Sequence, residues 1–363
     1  FFYRSDMGAS FDQWVEQLKG VLLQARLGSM YEKMLRVKAM AEYLAEADGG
    51  AGLRDQAGRA AYLCKADLVS EVVGEFPKLQ GIMGRVYAAA KNEPPGVAAA
   101  IEEHYRPVRS GGELPEGKIG SVLAIADKID SIVGCFSVGL IPTGAADPYA
   151  LRRQGIGIVQ ILLHRRFPFS LKALIAKSAV MFAEKSDNPP EKIADLVHMF
   201  LKNRMAHLLA EEGFAKDAIA AVLEVSADNV PDLWERVRAL DNLRKAPDFE
   251  PLAVAFKRVV NIIRQVETVG ADRVDPSLFE DESEAALRDA FERVSASVKG
   301  HLAAGEYDQA LREIAALREP VDAFFEGVMV LTDNARIRVN RLALLSSIAG
   351  LFEQFADFSR IST

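Results

Sequence analysis

IGSVLAIADKIDSIV, residues 119–133, decides the fold class. Ile119, Val122, Ala126, Ile129 and Val133 recur every three or four residues, which sets them on one face of an α-helix. A half-buried strand would need strict alternation. The same spacing continues outward. Met34, Val37, Ala41 and Leu44 predict a helix over 30–46, and residues 59–73 repeat the pattern. Upstream, Ser10 and Gln13 make a capping box that predicts a helix through WVEQLKGVLLQARL. Downstream, Asp147-Pro148 and Asp275-Pro276 each place an N-cap residue before a proline suited to the first helical position. The sequence carries no strand-turn-strand signal, internal repeat or low-complexity tract. The expected class is all-α.

A chain of 363 residues exceeds one ordinary core, so two or three domains are expected. RFPFS (166–170), the proline-rich KSDNPPEK (185–192) and APDFEP (246–251) mark the breaks. They predict a helical domain over 1–170, a helical connector over 171–243 and a helical bundle over 244–363. Hydrophobic residues make up 50% and charged residues 26%, a soluble globular profile. The net charge is −7, so any nucleic-acid binding must come from a local basic surface. Cys64 and Cys135 lie far apart, which excludes a disulfide scaffold or cysteine-rich zinc site and fits a reducing cytoplasm. Apolar runs such as IGIVQILL (156–163) are too short to span a bilayer, and no secretory signal is visible. The opening Phe1-Phe2-Tyr3-Arg4 lacks an initiator methionine, which leads us to expect that an N-terminal part is missing.

Basic residues gather at three places. In RKAPDFEPLAVAFKRVVNIIR (244–264), Leu252, Phe256, Val259, Val260 and Ile263 define an apolar helix face. Lys257, Asn261 and Arg264 fall on another face, with Arg258 beside them. Arg336, Arg338 and Arg341 surround Asn340, while Leu342, Leu345, Ile348 and Phe352 form the buried side. Arg152 and Arg153 follow the expected helix start at Pro148, where free N–H groups and the helix dipole favour an anion. Cations suit phosphate and amides suit base edges. Solvated helix faces carry the same pattern. Phe249 offers a stacking surface, whereas Phe256 sits on the apolar face. The acidic run EDESE (280–284) would repel RNA and is expected to face away from it.

GEFPKLQGIMGRVYA (74–88) and IADKIDSIVGCFSVGLIPTGAADPYALRRQGIGI (125–158) are dense in glycine, proline and charge without reading as linkers. They resemble the β subunit of the bacterial tetrameric glycyl-tRNA synthetase. The likeness continues through FKRVVNII (256–263), LREPVDAFFEGVMVLTDNARIRVNRLALL (317–345) and LFEQFADFS (351–359). It implies a part of that subunit which holds glycine tRNA by its anticodon and acceptor arm. The holoenzyme, an α2β2 assembly, joins glycine to the tRNA using ATP with Mg, and its α subunit carries the active site. This chain alone is therefore expected to be inactive, with no catalytic residue and no cofactor of its own. The partners implied are glycine tRNA and the α subunit, with neither membrane nor DNA. The C-terminal bundle resembles the anticodon-binding helical domain shared with arginyl-type synthetases.

The first domain resembles the HD superfamily, whose His and His-Asp positions hold a divalent metal. Here the first position falls near Lys33, the pair falls on Cys64-Lys65, and only Asp127 survives. An ammonium cannot ligate a metal, so no metal site is expected. The alternative function, an HD-type metal-dependent nucleotide phosphohydrolase, would need the lost ligands. Asp67 and Asp127 are free instead to pair with Lys65 or cap helices. In the segment 74–88, Glu75, Lys78, Gln80 and Arg85 offer polar groups, while its glycines also suit plain tight turns. Gly155-x-Gly157 lacks the third glycine and preceding strand of a dinucleotide motif. The expected RNA-contacting set is Lys65, Arg85, Arg152, Arg153, Lys257, Arg258, Asn261, Arg264, Arg336, Arg338, Asn340 and Arg341.

Overall fold

Around the helix Lys118–Ser137 the first half of the molecule is assembled. Val122, Leu123, Ile125, Ala126, Ile129, Ile132 and Val133 are all buried, so this helix is enclosed on more than the single face its spacing predicts. It packs against Met30–Leu63, Pro95–Glu103 and Leu151–Arg165. The computed structural model describes residues 1–246, 249–264 and 273–362, without the side chain of Arg264. It divides into two compact units, Phe1–Met205 and Ala206–Thr363. The division falls within the helix Pro190–Glu211.

The segment Met30–Leu63 is a helical hairpin. Gly50 breaks it at φ +69° and ψ −162°, backbone that side-chain-bearing residues avoid. A straight helix would separate Lys33 from Lys65 by roughly 48 Å. Both ammonium groups instead lie 3.2 Å from one oxygen of Asp127. A Cβ on Gly58 would stand 2.5 Å from Glu42 Oε1, and Arg54 lies 3.8 Å from Glu46. These pairs are symmetric about Gly50, so the two arms run antiparallel. Met34, Val37, Ala41 and Leu44 are buried, as their spacing predicts.

Three local expectations are corrected. The Ser10–Gln13 capping box forms, but its helix stops at Gln17. A short antiparallel hairpin follows, with Leu22 opposite Ser29 and Gln24 opposite Gly28. Gly28, at φ +91°, leaves room for Glu32 to fold back onto Ser29 and start the next helix. Second, Asp147 accepts from the backbone N–H groups of Leu151 and Arg152 at 2.8 and 3.0 Å, so the helix begins at Leu151 and not at Pro148. Third, Asp275-Pro276 opens only a 3₁₀ turn, Pro276–Leu278. The acidic helix Glu282–Ala304 has its own capping box between Asp281 and Glu284.

Among its described residues the second unit has helices and connecting turns and no strand. Phe249–Arg264 packs on Ala335–Glu353, and the rings of Phe256 and Phe352 stack with centroids 3.9 Å apart. Phe358 meets Phe256 edge-on at 5.2 Å. This aromatic cluster, with Leu252, Val259, Leu345 and Ile348, forms the core between the two helices. The all-α expectation therefore holds apart from the one short hairpin.

Candidate nucleic-acid interface

The helical hairpin and the central helix place Lys33, Cys64, Lys65, His104, Asp127 and Lys128 in one buried cluster. The Lys33 and Lys65 ammonium groups flank Asp127 Oδ1 as ionic contacts without hydrogen-bond alignment. Lys33 also reaches Asp130 at 3.2 Å. Burial alone would raise the Asp127 carboxyl, but Lys33 and Lys65 hold it well below the usual range. Lys65 Nζ lies 2.8 Å from His104 Nε2 and 4.3 Å from the Tyr105 ring. An ammonium only donates, so Nε2 accepts and His104 gives its Nδ1 proton to Ile101 O at 2.7 Å. Burial and the Lys65 charge keep that imidazole neutral, its pKa well below the ordinary value. Lys128 donates to the carbonyls of His104 and Arg106 at 2.9 and 2.8 Å, and burial lowers it to about 7.

Lys65 is thus a correction. It is 4% exposed, and its charge serves Asp127 inside the fold, out of reach of a phosphate. The same contacts answer the phosphohydrolase alternative. Two ammonium groups flank Asp127, and an ammonium cannot ligate a metal. His104 was missed in the sequence because nothing in its spacing ties it to Asp127. Asp67 caps a helix, accepting from Gly81 and Gly84 N–H at 2.6 and 3.1 Å. Those glycines serve a turn and a close approach: a Cβ on Gly81 would strike Tyr105 at 2.6 Å. Gln80 donates to Tyr105, while Glu75 and Lys78 are exposed.

Elsewhere in the first unit, Arg85 is exposed but ion-paired with Glu102. Arg152 is half-buried and Arg153 exposed. The free N–H groups expected at their helix start are not available, because the Asp147 carboxylate occupies those of Leu151 and Arg152.

In the second unit the basic residues part company. Arg341, 5% exposed, meets Glu284 at 2.9 Å and Glu280 at 3.2 Å and donates to Met329 O. Asn340, 3% exposed, brackets the Asp275 backbone, accepting from its N–H and donating to its carbonyl. These two hold the fold rather than present a face, a second correction to the expected set. Nor does the acidic run simply turn away: Glu280 and Glu284 neutralise Arg341, and Asp281 caps a helix. Arg336 and Asn261 are exposed. Arg258 is exposed with its guanidinium 4.0 Å from the centre of the Phe325 ring, a fixed cation. Lys257 is half-buried, as is Arg338, which donates to Thr332 O. The Arg264 side chain lies outside the described residues.

A cavity of about 390 Å³ opens beside Arg336. It is lined by the apolar Leu278, Ala335 and Val339, by the exposed Arg273, Asp275 and Arg336, and by the buried Asn340. Apolar surface beside cations suits a splayed base and its phosphate. Arg273, Leu278 and Val339 were missed because the cavity joins segments more than fifty residues apart in sequence.

Residues 1–224 match the family model described as glycyl-tRNA synthetase beta subunit, and residues 252–361 match the DALR anticodon binding domain. A protein from Desulforapulum autotrophicum, named glycine–tRNA ligase beta subunit, is 51% identical over 99% of this chain and 52% of its own length. Counterparts of the same name from Desulfatibacillum aliphaticivorans and Geobacter metallireducens are 49% and 47% identical over 100% of the chain, again 52% of their own length. The chain spans about half the length of the curated relatives it matches.

Proposed function

We propose a function from one premise: the chain belongs to the glycyl-tRNA synthetase β-subunit family. In this reading it holds glycine tRNA while an α subunit, in an α2β2 assembly, performs ATP-dependent glycylation in the cytoplasm. The bundle over 244–363 receives the anticodon, the HD-like domain over 1–170 lies toward the acceptor arm, and 171–243 connects them. What carries the reading is a coincidence: the anticodon-binding match over 252–361 encloses the Arg273–Arg336 cavity and the exposed Arg258 and Asn261. Arg153 in the first unit, with Lys257 and Arg338 more sheltered, completes the accessible set. Lys65, Asn340 and Arg341 support the scaffold. ATP and its Mg ion are used by the holoenzyme.

The test is a titration of the 363-residue chain against glycine tRNA, an anticodon-swapped form and a non-cognate tRNA at two salt concentrations. Glycine tRNA should bind most tightly, with affinity falling as salt rises because cation–phosphate contacts release counterions. Equal, weak and salt-insensitive binding to all three would overturn the proposal.

A further inference from the structure

Gly155 lies one turn beyond Arg152 in the helix Leu151–Arg165. A Cβ there would stand 3.2 Å from Arg204 Cγ and 3.1 Å from Phe200 Cε1. The missing side chain therefore lets the stem of Arg204, from the helix Pro190–Glu211, lie flat against the helix that carries Arg152. Phe200 supports it, its ring 5.5 Å from the Arg204 guanidinium and packed edge-on against Phe136 at 5.3 Å.

The result is a pair of neighbouring cations with one carboxylate, Asp147, close by. Arg204 Nε is buried and has no hydrogen-bond partner. Burial and the Arg152 charge both disfavour the ionised form of Arg204, with Asp147 opposing them. That carboxylate is engaged by the backbone of Leu151 and Arg152. Neither guanidinium has an ion-pair partner among the described residues. Two neighbouring arginines with no carboxylate in ion-pair contact, one with a buried idle donor, cost stability in the free protein. That cost is recovered when an anion bridges them.

We propose that Arg152 and Arg204 form a phosphate site for the RNA backbone. The proposal deepens the tRNA-holding reading and rests on it. Phosphodiester oxygens would accept from the outer N–H groups of the Arg204 guanidinium while Arg152 meets the same group, charge-assisted contacts that guanidinium favours.

The experiment compares the 363-residue chain with its Arg204→Met, Arg152→Gln and doubly substituted variants. Methionine keeps the apolar stem on Gly155 and Phe200. Each single change should weaken glycine tRNA binding on the order of tenfold and flatten the salt slope by about one. The double change should cost less than the two singles combined, since both groups grip one phosphate. Meanwhile the melting temperature of the free variants should hold or rise, because a like-charge contact and an idle donor are removed. Unchanged RNA affinity overturns the proposal. So does a fall in melting temperature in both single variants, which would make the pair structural. If the unsubstituted chain binds no tRNA, the tRNA-holding reading fails separately, and inorganic phosphate decides the site. A phosphate-dependent rise in melting temperature, absent in Arg204→Met, would keep an anion site and overturn its RNA assignment. No rise would overturn the site itself.

Discussion

The two units bury charge in opposite ways. In the first, Asp127 stands between Lys33 and Lys65 with Lys128 close by, and Lys33 has a second carboxylate in Asp130 while Lys65 meets Asp127 alone. In the second, one guanidinium, Arg341, is met by Glu284 and Glu280 and by a carbonyl, so the balance is complete. At Lys65 the first arrangement depends on a single carboxylate, whereas at Arg341 the second has a reserve. The comparison also shows that a cation in sequence carries no address. Lys65 and Arg341 look as available as Arg336, yet the fold buries the first two against carboxylates and leaves the third exposed, with no ion pair among the described residues.

The sharpest break of this contrast is Asp127→Asn. It leaves Lys65 without its carboxylate and Lys33 with Asp130 alone, and should cost about 3–5 kcal/mol, read as a drop in the denaturation midpoint. The pH dependence follows in sign. The folded Asp127 carboxyl is depressed, so its stabilisation is complete above the unfolded value of about 4 and is lost as pH falls below it. His104 is also lowered when folded, so acid favours the unfolded, protonated imidazole from about pH 6.5 downward. Urea midpoints between pH 7 and 3 should show both onsets, and Asp127→Asn should remove the lower one's Asp127 share. A midpoint unchanged by the substitution would mean the cluster is not held by that carboxylate.

Glu284→Gln tests the reserve. Arg341 keeps Glu280 and the Met329 carbonyl, so the loss should be smaller, about 2 kcal/mol. A loss equal to that of Asp127→Asn would erase the distinction between the units. Arg336→Gln should leave stability within about 0.5 kcal/mol while weakening tRNA by about 1–2 kcal/mol and flattening the salt slope. Lost stability there would mean that the lining of the cavity is scaffold. The smallest effect belongs to Arg85→Gln. Its partner Glu102 is part-exposed, and solvent screens the pair to less than about 1 kcal/mol by chemical denaturation.

The helices were legible because buried apolar spacing is a local signal: Met34, Val37, Ala41 and Leu44 declare their face without outside help. The hairpin at 22–29 was not, since two short strands amid helix-forming residues leave no alternation to read. The resemblance put Lys33, Cys64–Lys65 and Asp127 at corresponding positions, and the structure does gather them. What escaped was destination. Lys33 meets the Asp127 carbonyl 94 residues away and Arg341 meets Glu284 57 residues away, and no window of sequence contains both partners. Asn340 failed likewise: an amide beside three arginines suggests a base reader, while its real partner, the Asp275 backbone, lies 65 residues off. Arg204 drew no notice because its setting depends on Gly155, a residue conspicuous only for lacking a side chain.

The reversal at Gly50 bears on the order in which the first unit assembles. Folding the segment back on itself brings Lys33 and Lys65 to the same open end. Before the helix Lys118–Ser137 arrives, that end holds two like charges and no counterion, so the arms can zip outward from Gly50 but cannot close. Asp127 is the latch. Pulsed hydrogen exchange during refolding should therefore protect amides around 42–46 and 54–58 before those flanking Lys33, with the latter gaining protection together with residues 124–132.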